Sequence, residues 1–349
     1  MKQKILAAVL FLCLTLSVPC LTLSALPAAM AAPAAPTAQT PGGAREESRE
    51  TNESDETDET DETDETDETD ETGETGETDE AVEADEADEA DETKDPAEPP
   101  RLPVLMYHHI SKIPAKWNDY VVSLEEFRQD LEYLSTHGWH SVSVKTLLDW
   151  YDGRAELPEK PFMLTFDDGF ESTLAYAEPL LEQYGFCGVV AVIGSVCEKF
   201  TRCDEHDPEL SNLSWEDAAA LAGRGVIEVQ CHTWNMHALS PRRGCQPLRW
   251  ESAPDYRARL TADLQRFLDQ SAAHALPPLA SIAYPYGAYG PDTNEIVREL
   301  GFRLAFTCDE HVNRLDRAET GLHLLGRFNR PHGADRRAFF AAWERPEAA

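Results

Sequence analysis

The stretch Phe162-Met163-Leu164-Thr165-Phe166-Asp167-Asp168-Gly169 passes from an apolar run into two adjacent carboxylates and a glycine. A short apolar run closed by a turn is how a buried strand of a parallel sheet reads. Some sixty residues later a second run, Val226-Ile-Glu-Val229, is closed by His232-Thr-Trp-Asn-Met-His237. Two carboxylates past one strand and two histidines past another supply a metal site and a spare base.

Outward from this stretch, short apolar runs alternate with helical patterns. Val104–Tyr107 precedes Ser123–Leu134, where Ser123 and Glu126 form a capping box and Leu124, Phe127, Leu131 and Leu134 follow at helical spacing. Val142–Val144 precedes an amphipathic piece from Leu147 to Tyr151, and Phe162–Phe166 precedes a helix from Leu174 to Tyr184. Val189–Ile193 is followed by a loop-like insertion of about twenty residues, then by a capped helix from Ser214 that Gly223 to Gly225 stops. Strands at Val226–Cys231, Ser281–Tyr284, Leu304–Phe306 and Leu322–Phe328 alternate with helices at Tyr256–Gln270 and Thr293–Leu300, and Arg336–Trp343 closes as a helix. Seven or eight such units make a parallel (β/α) barrel, with an open doubly wound sheet as the alternative. The candidate catalytic residues fall just after strands, where a barrel gathers its active site.

The rest of the chain is different material. Lys2 and Lys4 precede an apolar stretch from Ile5 to about Leu26, with Ala29-Met30-Ala31 as a cleavage site, so residues 1–31 read as a secretory signal peptide, with an uncleaved anchor as the alternative. Between Arg45 and Pro100 stand 29 acidic and 3 basic residues, largely as Asp-Glu-Thr repeats, within a chain of net charge −35. Residues 32–100 therefore read as a disordered acidic linker, a spacer rather than a calcium- or wall-binding segment. Residues 101–349 remain as one catalytic domain, still net acidic, which excludes a nucleic-acid partner. The expected location is secreted or extracellular, with a membrane or wall tether allowed. Six cysteines beyond the signal allow disulfides, and Cys197 with Cys203 is the expected local bridge.

Asp167 and Asp168 can line one pocket because a strand ends there and Gly169 follows. Two carboxylates that close do not both ionise easily without a cation, so a metal on one leaves the other as a base. His232 and His237 are spaced i, i+5, about 140° apart on a helix, so they converge only if the segment is a loop. One carboxylate and two imidazoles suit Zn²⁺ or a similar divalent ion, with Co²⁺ or Ni²⁺ as alternatives. Tyr284-Pro-Tyr286-Gly287 could floor a sugar site, with a backbone N–H near Gly287 facing a developing oxyanion.

Together these residues resemble the polysaccharide deacetylases of the NodB-homology type, carbohydrate esterase family four. The carriers are Pro103–His109, Thr165–Gly169, His232–His237, Ala283–Gly287 and Arg327-Phe-Asn-Arg-Pro331. The resemblance implies a distorted (β/α) barrel, a divalent metal and hydrolysis of N-acetyl groups on a hexosamine polymer. It assigns Asp167 as general base and Asp168, His232 and His237 as metal ligands. The i, i+5 histidine spacing is similar to the subgroup acting on poly-N-acetylglucosamine of biofilm matrices, whose members can supply the acid histidine from the first strand. Here that residue is His108, with His323 as the alternative. Many family members carry an arginine where this chain has Ala283, and Arg327 is the expected replacement, grouped with Tyr284 and Tyr286 toward substrate. An O-acetyl esterase on xylan or peptidoglycan, or a non-catalytic glycan-binding protein on the same scaffold, are the alternative functions.

Overall fold

A computed structural model describes residues 98–318 and 320–344. The signal-peptide reading of residues 1–31 and nearly all of the acidic linker lie outside the described residues. The chain folds as β1 (Arg101–Leu102), β2 (Val104–Tyr107), β3 (His109–Ser111), β4 (Val121–Ser123), α1 (Leu124–Thr136), β5 (His140–Ser141), α2 (Val144–Tyr151), β6 (Pro161–Phe166), α3 (Glu178–Tyr184), β7 (Gly188–Val192) and α4 (Gly194–Cys203). It continues through α5 (Trp215–Arg224), β8 (Ile227–Cys231), α6 (Ala253–Ala273), β9 (Ser281–Ala283), α7 (Thr293–Glu299), β10 (Leu304–Phe306), β11 (Asn313–Arg314), β12 (Phe328–Asn329) and α8 (Arg336–Glu344).

The main sheet runs β10-β9-β8-β7-β6-β2-β12, every pair parallel. It curls until its edges meet one segment: Leu325 bridges to Phe306 on β10, and Phe328 pairs with Leu105 on β2. The result is the expected distorted barrel of seven parallel strands. The expected last strand, Leu322–Phe328, is interrupted, because Gly326 and Arg327 turn away from the ladder to bond Asn313 and Asp309.

Period-2 alternation sorts the strand residues into two layers. Leu105, Tyr107, Phe162, Leu164, Phe166, Val190, Val192, Ile227, Val229 and Ile282 pack against the helices. Val104, Met163, Val189, Ala191, Ala283, Leu304 and Phe306 pack together with Val144, Leu147 and Leu148 of α2. This second layer is the barrel interior. Continuing the alternation along β6 puts Met163, Thr165 and then Asp167 inside. Along β8 it puts Gln230 and then His232 inside. Helix starts follow the sequence signals: Ser123 with Glu126 and Ser214 with Asp217 both form complete capping boxes.

Two expectations are corrected. The insertion after β7 is not loop throughout, since it carries α4. Cys197 and Cys203 both lie on that helix, six residues apart, a rise of about 9 Å that no disulfide spans. The six described cysteines are all free.

Candidate metal centre and active site

Consecutive residues share one pocket at the end of β6 because the backbone reverses there. Asp168 has φ +70° and Gly169 φ +69°, so two left-handed residues fold the second carboxylate back beside the first. Gly169 has no alternative: a Cβ would stand 2.9 Å from Val192 Cγ1 on β7. The turn is buttressed by the end of the insertion, where Asn212 donates to the Asp168 carbonyl (2.9 Å) and Leu213 N–H to the Gly169 carbonyl (2.8 Å).

His232 continues β8, and Thr233 at φ +69° turns the chain into an irregular loop. The loop is held from α6, whose Asp263 carboxylate accepts the N–H groups of Trp234 (2.8 Å) and Asn235 (2.9 Å). His237 thereby returns to face His232, with ring centroids 5.2 Å apart. Ligand atoms of Asp168, His232 and His237 all lie within 4.8 Å of one another.

These three residues fit a divalent cation. Asp168 Oδ1 lies 3.0 Å from His237 Nε2 and 3.4 Å from His232 Nε2. It is shielded from solvent and makes no well-formed hydrogen bond. His232 Nδ1 donates to the Ala283 carbonyl at 2.8 Å, which fixes Nε2 as the atom with the free lone pair. His237 Nδ1 is within 3.0 Å of the Tyr286 hydroxyl. The His232 lone pair and the Asp168 carboxylate repel each other unless a cation draws them together, and ligand atoms this close can share one ion at about 2 Å.

Asp167 is 3% exposed and takes both arms of Arg327: Nη1 donates to Oδ1 (2.7 Å) and Nη2 to Oδ2 (2.8 Å). Arg327 has no exposed surface, and its Nε donates to the Thr307 carbonyl at 2.9 Å. Burial works to raise the Asp167 carboxyl, but Arg327, His232 and His108 outweigh it and hold it below the usual carboxylate value. Arg327 is thus a buried partner of Asp167, not the substrate contact that sequence suggested.

His108 follows β2 and is half-buried, with its ring edge-on to Tyr120 at 5.0 Å. Its Nδ1 is shielded and without a hydrogen-bond partner. Burial lowers its pKa, opposed by Asp168 and Asp167, which places it in the field of the site. His323 does not share that field. Burial and then Arg298 of α7 lower it to about 4.

The aromatic turn divides. Tyr284 is fully buried and its hydroxyl donates to Asn294 at 2.7 Å, so it is core and no floor for a sugar. Tyr286, at φ +59°, turns its hydroxyl to His237. The Gly287 N–H is engaged by the Tyr284 carbonyl at 2.8 Å and does not face an oxyanion. Two groups went unread in the sequence. Asp263 left no local signal, because a helix carboxylate 26 residues beyond His237 is ordinary solvated-face chemistry. Asp130 is the other: fully buried on α1, it binds Tyr107, Arg330 and Arg336.

Residues 154–305 match the family model described as polysaccharide deacetylase. The chain is similar to the poly-beta-1,6-N-acetyl-D-glucosamine N-deacetylase of Escherichia coli K12, 24% identical over 226 residues, 59% of this chain and 33% of that one. The protein of the same name from Staphylococcus aureus MRSA252 is 24% identical over 193 residues, covering 55% of this chain and 62% of that one. Among solved structures, IcaB from Ammonifex degensii superposes with a TM-score of 0.56 at 29% identity, over 70% of this chain and 96% of that one. The chain spans only a third of the length of the E. coli relative. With the barrel closed by Leu325–Asn329 and the Asp-Asp and His-His elements gathered past its strands, the chain carries a domain of the polysaccharide deacetylase family.

Proposed function

We propose that this chain is an exported, metal-dependent N-deacetylase acting on an N-acetylglucosamine polymer of the cell surface or matrix. The observation that carries the reading is the convergence of Asp168, His232 and His237 beside an Arg327-bound Asp167. The named substrate of the relatives supports the choice of glycan. The charged and apolar residues before Ala32 support export.

A divalent ion, Zn²⁺ first, held by Asp168, His232 and His237 would supply Lewis acidity toward an acetyl carbonyl. Asp167 takes the proton from the attacking water. Arg327 keeps that carboxylate ionised and fixes its plane, at some cost in basicity. His108, past the neighbouring strand, delivers a proton to the leaving amine. Tyr286 orients His237.

The test is metal analysis of the purified full chain together with acetate release over a panel of N-acetylglucosamine oligomers and O-acetylated xylan. One divalent ion per chain, lost in Asp168→Ala, with acetate released from the amide substrates, is the expected result. Release from the O-acetyl substrate alone would overturn it.

A further inference from the structure

A cavity of about 530 Å³ opens among the segments that follow β9 and β10 and has no part in the chemistry described above. It is lined by Gln246, Gly287, Tyr289, Asn294, Asp309 and Leu324, among others, and its size suits a small-ligand subsite. Its walls adjoin the active site. Gly287 follows Tyr286, whose hydroxyl meets His237, and Asp309 follows Cys308, whose sulfur lies 3.9 Å from Arg327 Nη2. The two walls touch each other, since a Cβ on Gly287 would stand 2.6 Å from Cys308 N.

The lining is that of a sugar site. Tyr289 offers a half-buried ring, steadied 5.6 Å from the Tyr284 ring. Asn294 is oriented by Tyr284, which donates to its Oδ1 and leaves its amide N–H groups as donors. Gln246 adds a second amide. Asp309 is the one charged group among the described residues that line the cavity. Its carboxylate is exposed, while its backbone is fixed by the Thr307 hydroxyl (3.3 Å) and by Arg327 N–H (3.1 Å).

We propose that this cavity binds a glucosamine unit, already deacetylated, of the same polymer, with Asp309 facing its ammonium group. An acetamide carries no charge, so the carboxylate distinguishes a processed unit from an unprocessed one. The enzyme would then favour N-acetyl groups near a free amine. The inference rests on the deacetylase reading above.

The experiment compares the full chain with Asp309→Asn on a fully N-acetylated pentamer and on pentamers bearing one glucosamine. An exposed ion pair is weak, so the variant should lose about three- to fivefold more kcat/KM on the glucosamine-bearing substrates than on the acetylated one. That excess should vanish near 1 M salt. Equal losses on both substrates, or none, would overturn the ammonium assignment. Calorimetric binding of a fully deacetylated glucosamine pentamer tests the site without turnover. Binding weakened by Asp309→Asn supports the subsite even if no acetate is released from any substrate, an outcome that would sink the deacetylase reading alone, and unchanged binding would overturn the subsite.

Discussion

At Asp167 a base has to stay ionised while fully buried next to a second carboxylate, and Arg327 is the group that permits it. Asp167→Asn keeps the shape but cannot accept a proton from water, so turnover should vanish while metal content stays near wild type. Loss of bound metal in this variant would instead make Asp167 a ligand. His108 is tested by leaving group. An amine leaves poorly unless protonated, whereas an activated aryl acetate does not need the acid. His108→Ala should therefore cost on the order of 10²–10⁴ in turnover on N-acetyl substrates and little on the activated ester. Equal losses on both would return the acid role to another residue. His109, next in sequence, is a stability group. Burial and then Lys116 lower its pKa to about 4, below the ordinary 6.5. The unfolded state therefore binds the proton first, so this contribution is complete above about pH 6.5 and is lost as pH falls toward 4. The loss should reach about 3 kcal/mol, read as a falling Tm that flattens in His109→Gln.

Elements are tied to one another by single carboxylates, Asp263 half-buried and Asp130 fully buried. Asp263 of α6 accepts the Trp234 and Asn235 backbone N–H groups of the His232–His237 loop, while the Gly194 and Ser195 N–H groups at the start of α4 hold the Thr233 and Trp234 carbonyls. Asp263→Ala should weaken metal affinity by about 10- to 100-fold, the usual scale for outer-shell partners, with the global fold retained. Unchanged affinity by metal titration would show that the loop holds its own shape. Asp130 joins α1 to the strand end at Arg330 and to α8 at Arg336. Asp130→Ala leaves the buried Arg330 guanidinium unpaired and should cost on the order of 3–5 kcal/mol. Denaturant unfolding reads this directly, and a cost under about 1 kcal/mol would mean that water replaces the carboxylate.

For the whole molecule, the closing segment Leu325–Asn329 and the β1–β11 pair join the chain's late part to its early strands. The acidic tract contributes no comparable apolar surface. Deleting residues 32–97 should leave the Tm and the rate on soluble oligosaccharides nearly unchanged. A clear drop in Tm would show that the tract packs on the barrel. Much of the barrel was legible beforehand because its signals are local: period 2 in the strands, period 3.6 in the helices, and capping boxes at Ser123 and Ser214. The same alternation, carried one residue past β9, points Tyr284 toward the helices. Followed that far, the sequence would have withdrawn it from the sugar site.

The sequence by itself determined the order of strands and helices and the residues standing just past each strand, because hydrophobic periodicity and turn chemistry act over a few neighbours. Only the tertiary structure decided who pairs with whom. Arg327 meets Asp167 across 160 positions, Asp263 caps a loop on another element, and Cys197 and Cys203 stay apart on one helix. Such partnerships depend on which distant groups are buried together. A buried charge takes whatever counter-charge the packing brings within about 3 Å, and nothing in its own neighbourhood of sequence names that partner.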